Sequence, residues 1–210
     1  MIPICRGIKA ISIILFIAMA TSFCASKNYL VVNYKLPEEA MIPGETSVSL
    51  TFKDSREDPA ILTKSAKMAL KNFSDGFFIL YVAQENNDKQ ENKDVPLKGA
   101  FSLHSMITQI FKHRLENAGI RVAPQGESRE TVVEIILKAF KLDLVGRKWV
   151  INMSYQANLV RQNQFTAGET VTGSAERLRV VGSKDAELVI GELITDVVNR
   201  LNLSELFKSN

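Results

Sequence analysis

The feature that most restricts the fold is a run of alternating side chains between Lys148 and Arg161. Trp149, Ile151, Met153, Tyr155, Ala157 and Leu159 fall on one side of it, and Asn152, Ser154, Gln156 and Asn158 on the other. Successive side chains of a strand point to opposite faces, so this segment is a strand with one face on a core and one in water. Thr131–Leu144 ahead of it is strand-like, and 166–181 behind it is rich in Thr, Val and Gly. Gly146-Arg147-Lys148 and Arg161-Gln162-Asn163-Gln164 supply the turns. Half-buried strands joined by short turns make an antiparallel meander.

Helical periodicity flanks the meander. Ser102 opens a helix in which Leu103, Met106, Ile107, Ile110 and Phe111 form a stripe at three- and four-residue spacing, extended by Ala118 and ended by Gly119. Ile120–Val122 is a short strand. Ser183 is placed to cap a last helix, with Asp185 and Glu187 in its first turn, where acids suit the helix dipole. Ala186, Val189, Ile190, Leu193, Ile194, Val197 and Leu201 line its buried side, and Leu203, Leu206 and Phe207 pack back after it. Earlier in the chain, Ser47–Lys53 alternates, a helical stretch falls near 60–72, and Phe77–Val82 reads as a strand buried on both faces. Residues 84–98 are too polar to offset their ordering entropy and read as a mobile surface loop. The expected architecture is one α+β domain over 47–207, a mainly antiparallel sheet with helices packed on one face. Residues 24–46 are expected to be an N-terminal tether carrying a strand-like patch at 29–34.

The start of the chain reads as an export signal over residues 1–23. Arg6 and Lys9 precede the apolar run Ala10–Ala20 without any acid, and small residues follow. The apolar stretch Ala10–Ala25 spans 16 residues, short of the roughly 20 that cross a bilayer as a helix. Cys24 stands just past that stretch, where bacterial lipoproteins carry the acylated cysteine, although Phe23 occupies a place usually held by a small residue. Cleavage after Ala18-Met19-Ala20 is the competing reading and would release a soluble protein from Thr21. Cys5 leaves with the leader, so Cys24 is the one cysteine of the mature chain and no internal disulfide forms.

Catalytic chemistry finds few carriers. His104 and His113, the only histidines, are nine residues apart on one helix and face opposite ways, so they share no metal. There is no nucleophile elbow and no phosphate-binding glycine loop. Asp143 and Glu176 are isolated carboxylates on strands, read as solvated. No metal or cofactor is therefore expected, nor an enzyme. The formal charge is +3, and two of those cations, Arg6 and Lys9, belong to the leader. A body so close to neutral has no cation excess for a phosphate backbone, so no nucleic acid is expected as a partner. One local constellation stands out. Asp54-Ser-Arg56-Glu-Asp58 follows the first clear strand, where Asp54 accepts across a turn and Arg56 forks onto a carboxylate or carbonyl. It reads either as a structural corner or as a partner-docking one.

Together these segments resemble the YajG family of bacterial lipoproteins. The resemblance is carried by the leader ending at Cys24, by Val48-Ser-Leu-Thr-Phe-Lys-Asp-Ser-Arg56 and by Leu115-Glu-Asn-Ala-Gly-Ile-Arg-Val122. The strand-rich middle and Ile190-Gly-Glu-Leu-Ile-Thr-Asp196 fit as well. Phe23 and the polar insertion at 84–98 depart from the family pattern. The likeness implies a cell-envelope lipoprotein that faces the periplasm, with Ala25 rather than Asp after the cysteine favouring the outer membrane. The expected function is non-catalytic: membrane attachment through a lipid anchor, and binding of another envelope protein. The alternatives are an accessory lipoprotein of an envelope lipid-transport system and an enzyme acting on cell wall.

Overall fold

The computed structural model describes residues 29–38, 41–42, 47–71, 73, 76–84, 95–96, 99–124, 126–127 and 129–208. The export signal, Cys24 and most of the polar segment 84–98 lie outside the described residues. In chain order the elements are β1 (Leu30–Leu36), β2 (Ser47–Asp54), α1 (Lys64–Ala69), β3 (Phe78–Gln84), β4 (Val95–Pro96), α2 (Leu103–Asn117), β5 (Arg121–Val122), β6 (Thr131–Val145), β7 (Lys148–Arg161), β8 (Gln164–Leu178), α3 (Ser183–Asn199) and α4 (Leu203–Lys208).

The meander forms as its pattern requires. β6 pairs antiparallel with β7, and β7 with β8, along nearly their whole lengths. Gly146 opens the first turn at φ 61, the left-handed value a glycine accepts at no steric cost. Gln162 and Asn163 close the second with φ 50 and 64, and two positive values match the twist of the flanking strands.

The sheets as a whole are mixed: the antiparallel expectation holds for β6, β7 and β8 and for β3 with β4, and is corrected at β1, β2 and β5. The larger has the order β5-β2-β6-β7-β8, and β2 runs parallel to both β5 and β6. The smaller has the order β1-β3-β4, with β1 parallel to β3. The reason is connectivity. Between β2 and β6 the chain passes through two helices, and a crossover of that kind returns the next strand in the same direction. Periodicity within a segment does not reveal which way its neighbour runs.

The core lies between the inner face of the large sheet and the two long helices. Trp149, Ile151, Met153, Tyr155, Ala157 and Leu159 are fully buried there, beside Val133, Ile135 and Leu137 of β6. A bulge between Leu137 and Ala139 resets the strand so that Phe140 and Leu142 also turn inward. α2 packs on β2 and β5, and α3 on β7 and β8. The rings of Phe111 and Tyr155 meet edge-on at 5.0 Å, and Phe78 meets Phe140 at 6.4 Å, which joins the small sheet to the large one. Each such side chain contributes about 1.5–3 kcal/mol by leaving water, and the described residues, which include no cysteine, are held by that packing.

Four local expectations change. The span assigned to a tether contains β1, whose Leu30, Val32, Tyr34 and Leu36 are core residues, so the packed domain begins before residue 47. β3 alternates rather than being buried on both faces: Phe78, Leu80 and Val82 point in while Ile79, Tyr81 and Ala83 are half-exposed. The cap of α3 is Gly182 at φ 70, with Ser183 already helical, and Asp185 reaches back to accept from Val180 N (2.7 Å) and Val181 N. Finally, Asn158 on the water-facing side is only 7% exposed, because Glu134 and Gln156 close over its amide.

Candidate functional site

A parallel strand sends alternate backbone groups to opposite edges, and among the described residues β1 has a strand neighbour on one edge only. α3 lies along the other. There Thr195 Oγ1 accepts from Lys35 N (3.2 Å), and Asn199 Nδ2 donates to Lys35 O (2.9 Å). Asn199 Oδ1 accepts in turn from the buried Tyr34 hydroxyl at 2.9 Å. Two helix side chains thus replace a missing strand at one end of β1. Nearer the middle the helix comes closer still. Gly191 lies against the backbone of Asn33, where a β-carbon would stand 2.7 Å from the carbonyl oxygen. Only glycine allows that approach.

Between the strand edge and the helix runs an open groove of about 630 Å³. Lys184, Leu188, Gly191 and Thr195 recur at four- and three-residue steps and make its helical wall, and Val31, Asn33 and Lys35 make the strand wall. Val31 and Leu188, both half-buried, supply the apolar floor. The rim is charged. Glu192 is held by Arg177 at 2.6 Å and Asp196 by Arg200 at 3.0 Å, while Lys35 and Lys184 stand exposed.

The helical wall is anchored at its C-terminal end by a buried cation. Arg114 of α2 is 2% exposed and directs Nη2 at Leu201 O (3.5 Å), beyond the last turn of α3. Tyr155 donates to Val197 O at 3.2 Å beside it. A cation where a helix presents its last carbonyls is favourably placed against the helix dipole. Burial pushes both Tyr34 and Tyr155 well above the usual tyrosine range, with the Arg114 charge pulling the other way. Both phenols stay neutral donors, and burial lowers the Arg114 guanidinium's pKa from its ordinary value.

The groove carries carboxylates, ammonium groups and an amide around its small apolar floor. Its one hydroxyl, on Thr195, is engaged with backbone, and its walls hold neither histidine nor cysteine. Elsewhere, Asp143 accepts from Thr63, from Ser65 Oγ (2.8 Å) and from Leu144 N (2.7 Å), which keeps its pKa below the ordinary value. Glu176 pairs with Lys148 at 2.6 Å. These two carboxylates are fixed by separate partners. His104 packs edge-on against Phe52 at 4.6 Å, and burial lowers the pKa of His113 on α2. Among the described residues no group of three His, Cys, Asp or Glu side chains is placed to hold a metal ion.

Asp54 and Arg56 come together at the end of β2. Arg56 donates Nε to Asp54 Oδ1 (2.9 Å) and Nη2 to Oδ2 (2.8 Å), and its own backbone N–H also reaches Oδ1 (3.2 Å). Nη1 points to Phe140 O at 3.4 Å, across the bulge in β6. The Arg56 side chain is 6% exposed and its hydrogen bonds hold Asp54 below the usual carboxylate range. The geometry is that of a strand end fastened to its neighbour. Cys24 lies outside the described residues.

Sequence reasoning missed the groove. Its walls are 160 residues apart in the chain, and the one local sign was a glycine inside an otherwise regular apolar helix. Arg114 was missed too, because a cation at the edge of an apolar stripe ordinarily reaches water.

No family model matches this chain, and no curated protein matches it. Several solved structures are similar to it. A Xanthomonas campestris protein of the family DUF330 aligns over 81% of this chain and 91% of its own, at 14% identity and a TM-score of 0.41. The lipoprotein GNA1162 from Neisseria meningitidis aligns over 74% and 97%, at 12% identity and 0.37. A minor lipoprotein from Acinetobacter baumannii aligns over 75% and 90%, at 12% identity and 0.32.

Proposed function

We propose that this protein is a non-catalytic lipoprotein of the bacterial cell envelope, and that its β1–α3 groove holds an extended segment of another envelope protein. The observation that carries the proposal is the groove itself. α3 closes the edge of β1, and along their junction runs a narrow apolar floor with charged rims, to which an extended peptide can present its alternating apolar and charged side chains. The leader and Cys24 support the attachment, and Ala25 supports the outer membrane as its place. Several acyl chains would hold the protein firmly, since each buried CH₂ contributes about 0.8 kcal/mol. The likeness to the YajG family accords with this placement.

A role in lipid transport receives less support, because Lys35, Lys184, Glu187 and Glu192 border the apolar floor and an acyl chain offers such charged groups no polar contact. Hydrogen bonds hold Asp54, Asp58, Asp143 and Asp185 below the usual carboxylate range, which suits structural acceptors and not a general acid.

The test is a photocrosslinking amino acid placed at Leu188 of the full chain in intact envelopes, with the same residue at Asn152 on the far face of the sheet as control. The Leu188 position is expected to yield one discrete protein adduct and the Asn152 position none. Equal adducts at both positions, or none at Leu188, would refute the groove. In the same cells Cys24→Ser is expected to move the protein from the membrane fraction to the soluble periplasm. A wild-type chain already soluble there, with Thr21 at its N-terminus, would refute the anchor.

A further inference from the structure

One pole of the domain differs from the rest of its surface. Val145 at the end of β6, Leu178 at the end of β8, and Val180 and Val181 just before α3 are 58%, 59%, 81% and 63% exposed. Strand register sets Val145 opposite Lys148 and Lys148 opposite Leu178, so these three side chains share a face. The segment with the two valines is tied alongside, because Arg179 N donates to Arg147 O at 2.8 Å. Beneath it, Trp149 Nε1 donates to Gly182 O at 3.1 Å, and the Asp185 carboxylate accepts from the backbone of both valines. The valines are exposed by a loop pinned from three directions, not by a frayed one.

Cations surround these aliphatic side chains. Arg147, Arg179 and Lys184 are exposed, and among the described residues none of the three forms an ion pair, whereas Lys148 is engaged by Glu176. Asp185, which accepts from the loop's backbone, is buried under it, and the exposed Glu176 is taken up by Lys148. Exposed aliphatics ringed by guanidinium and ammonium groups are what an interfacial surface needs, apolar for the acyl boundary and positive for anionic headgroups. A second copy of this chain fits poorly, because a two-fold contact would set the three cations against themselves.

The path of the chain supplies an independent indication. Tyr29 and Leu30, at the start of β1, line the same cavity of about 350 Å³ as Ser183, so the N-terminal end of the domain emerges at this pole. Cys24 precedes Tyr29 by five residues. Fully extended, that stretch reaches about 17 Å. An acyl anchor at Cys24 therefore keeps this pole within about 17 Å of the headgroups.

We infer that Val145, Leu178, Val180 and Val181, with Arg147, Arg179 and Lys184, form a docking surface for an anionic lipid bilayer. The inference rests on the lipid anchor at Cys24 proposed above. Its test uses the full chain, processed in its host envelope, purified, and reconstituted into phosphatidylethanolamine–phosphatidylglycerol vesicles. Val180→Cys carries an environment-sensitive fluorophore, and Asn163→Cys carries it in a control protein. Asn163 lies in the turn at the other end of β7, about 45 Å away at the rise of a strand. Nitroxide lipids are expected to quench the label at 180 several-fold more than the label at 163, and neutral phosphatidylcholine vesicles to weaken that difference. Equal quenching at the two sites would overturn the inference, as it would if the pole served a protein partner instead.

The two readings fail separately. Acylation blocks the Cys24 thiol, so wild-type protein that takes up the fluorophore disproves the anchor. In that event, flotation of the unlabelled protein with the same vesicles decides the docking surface. Flotation abolished by Val180→Asp with Val181→Asp supports it, and no flotation of the wild type overturns it. Trp149 emission of the double variant reports whether its core is intact.

Discussion

Replacing Gly191 by alanine sets two effects of opposite sign against each other. Gly191 is in the middle of α3, and there glycine costs about 1 kcal/mol relative to alanine through backbone entropy. On propensity alone, Gly191→Ala stabilises the protein. The structure requires the reverse. The added β-carbon would stand 2.7 Å from Asn33 O and 3.3 Å from Asn33 N, and both are backbone atoms of a strand paired with β3. Neither can rotate away, so α3 must withdraw from β1 by several tenths of an ångström. That movement loosens the bonds from Lys35 to Thr195 and Asn199. Overpacking of this kind costs about 1–3 kcal/mol, and a clash against two backbone atoms belongs in the upper half of that range. The expected net effect is a loss of about 1–2 kcal/mol, or roughly 2–8 °C in Tm for a domain of this size. The assay is urea unfolding followed by Trp149, the only tryptophan and fully buried, so its emission reports the core directly. An alanine variant as stable as the wild type, or more stable, would show that α3 does not press on the strand edge. The groove as described would then be lost with it.

Two further outcomes follow from the pinned corners. The Asp185 carboxylate is held below its ordinary value by the N–H groups of Val181 and Val180, so it contributes stability above the unfolded-state pKa of about 3.9 and loses it as pH falls through the folded value. Thermal melts of Asp185→Asn should therefore show less stability than the wild type near neutrality and a shallower decline below about pH 4, and parallel profiles would contradict this. Arg56→Ala frees Asp54 and Phe140 O at once and is expected to cost about 1–2 kcal/mol in urea unfolding. Arg56→Lys should restore little of that, since an ammonium cannot fork onto both Asp54 oxygens, and full rescue by lysine would reduce the corner to simple charge.

The parts of this structure legible in the sequence share one property: each is decided within a window of some fifteen residues. Lys148–Arg161 reads as a strand because its side chains alternate, and β7 has those limits. Ser102 and Gly119 bracket α2 because a hydroxyl satisfies free N–H groups at one end and glycine accepts φ 85 at the other. Asp54 and Arg56, two positions apart, were within the same reach. What the sequence withheld is decided by atoms distant along the chain. Whether β2 runs parallel or antiparallel to β6 depends on a crossover, and a hydrophobic pattern reads the same in both directions. β1 reads as part of a tether because seven residues followed by Pro37, Pro43 and Gly44 signal little alone, and they become core only once β3 and α3 close on them.

The candidate site is the extreme case of that distance. Its two walls carry no shared motif, and each residue in them is ordinary where it stands: an asparagine on a strand, a glycine in a helix, a threonine one turn later. Their meeting follows from Arg114, Tyr34 and Tyr155, which fix the end of α3 from below through buried polar contacts to Asn199, Val197 O and Leu201 O. Such contacts are costly unless satisfied, so they permit few alternative placements of the helix. The groove is therefore a consequence of how the core is closed. A partner that reads it reads the position of α3, and a change that shifts this helix, Gly191→Ala included, should weaken binding without touching a residue of the rim.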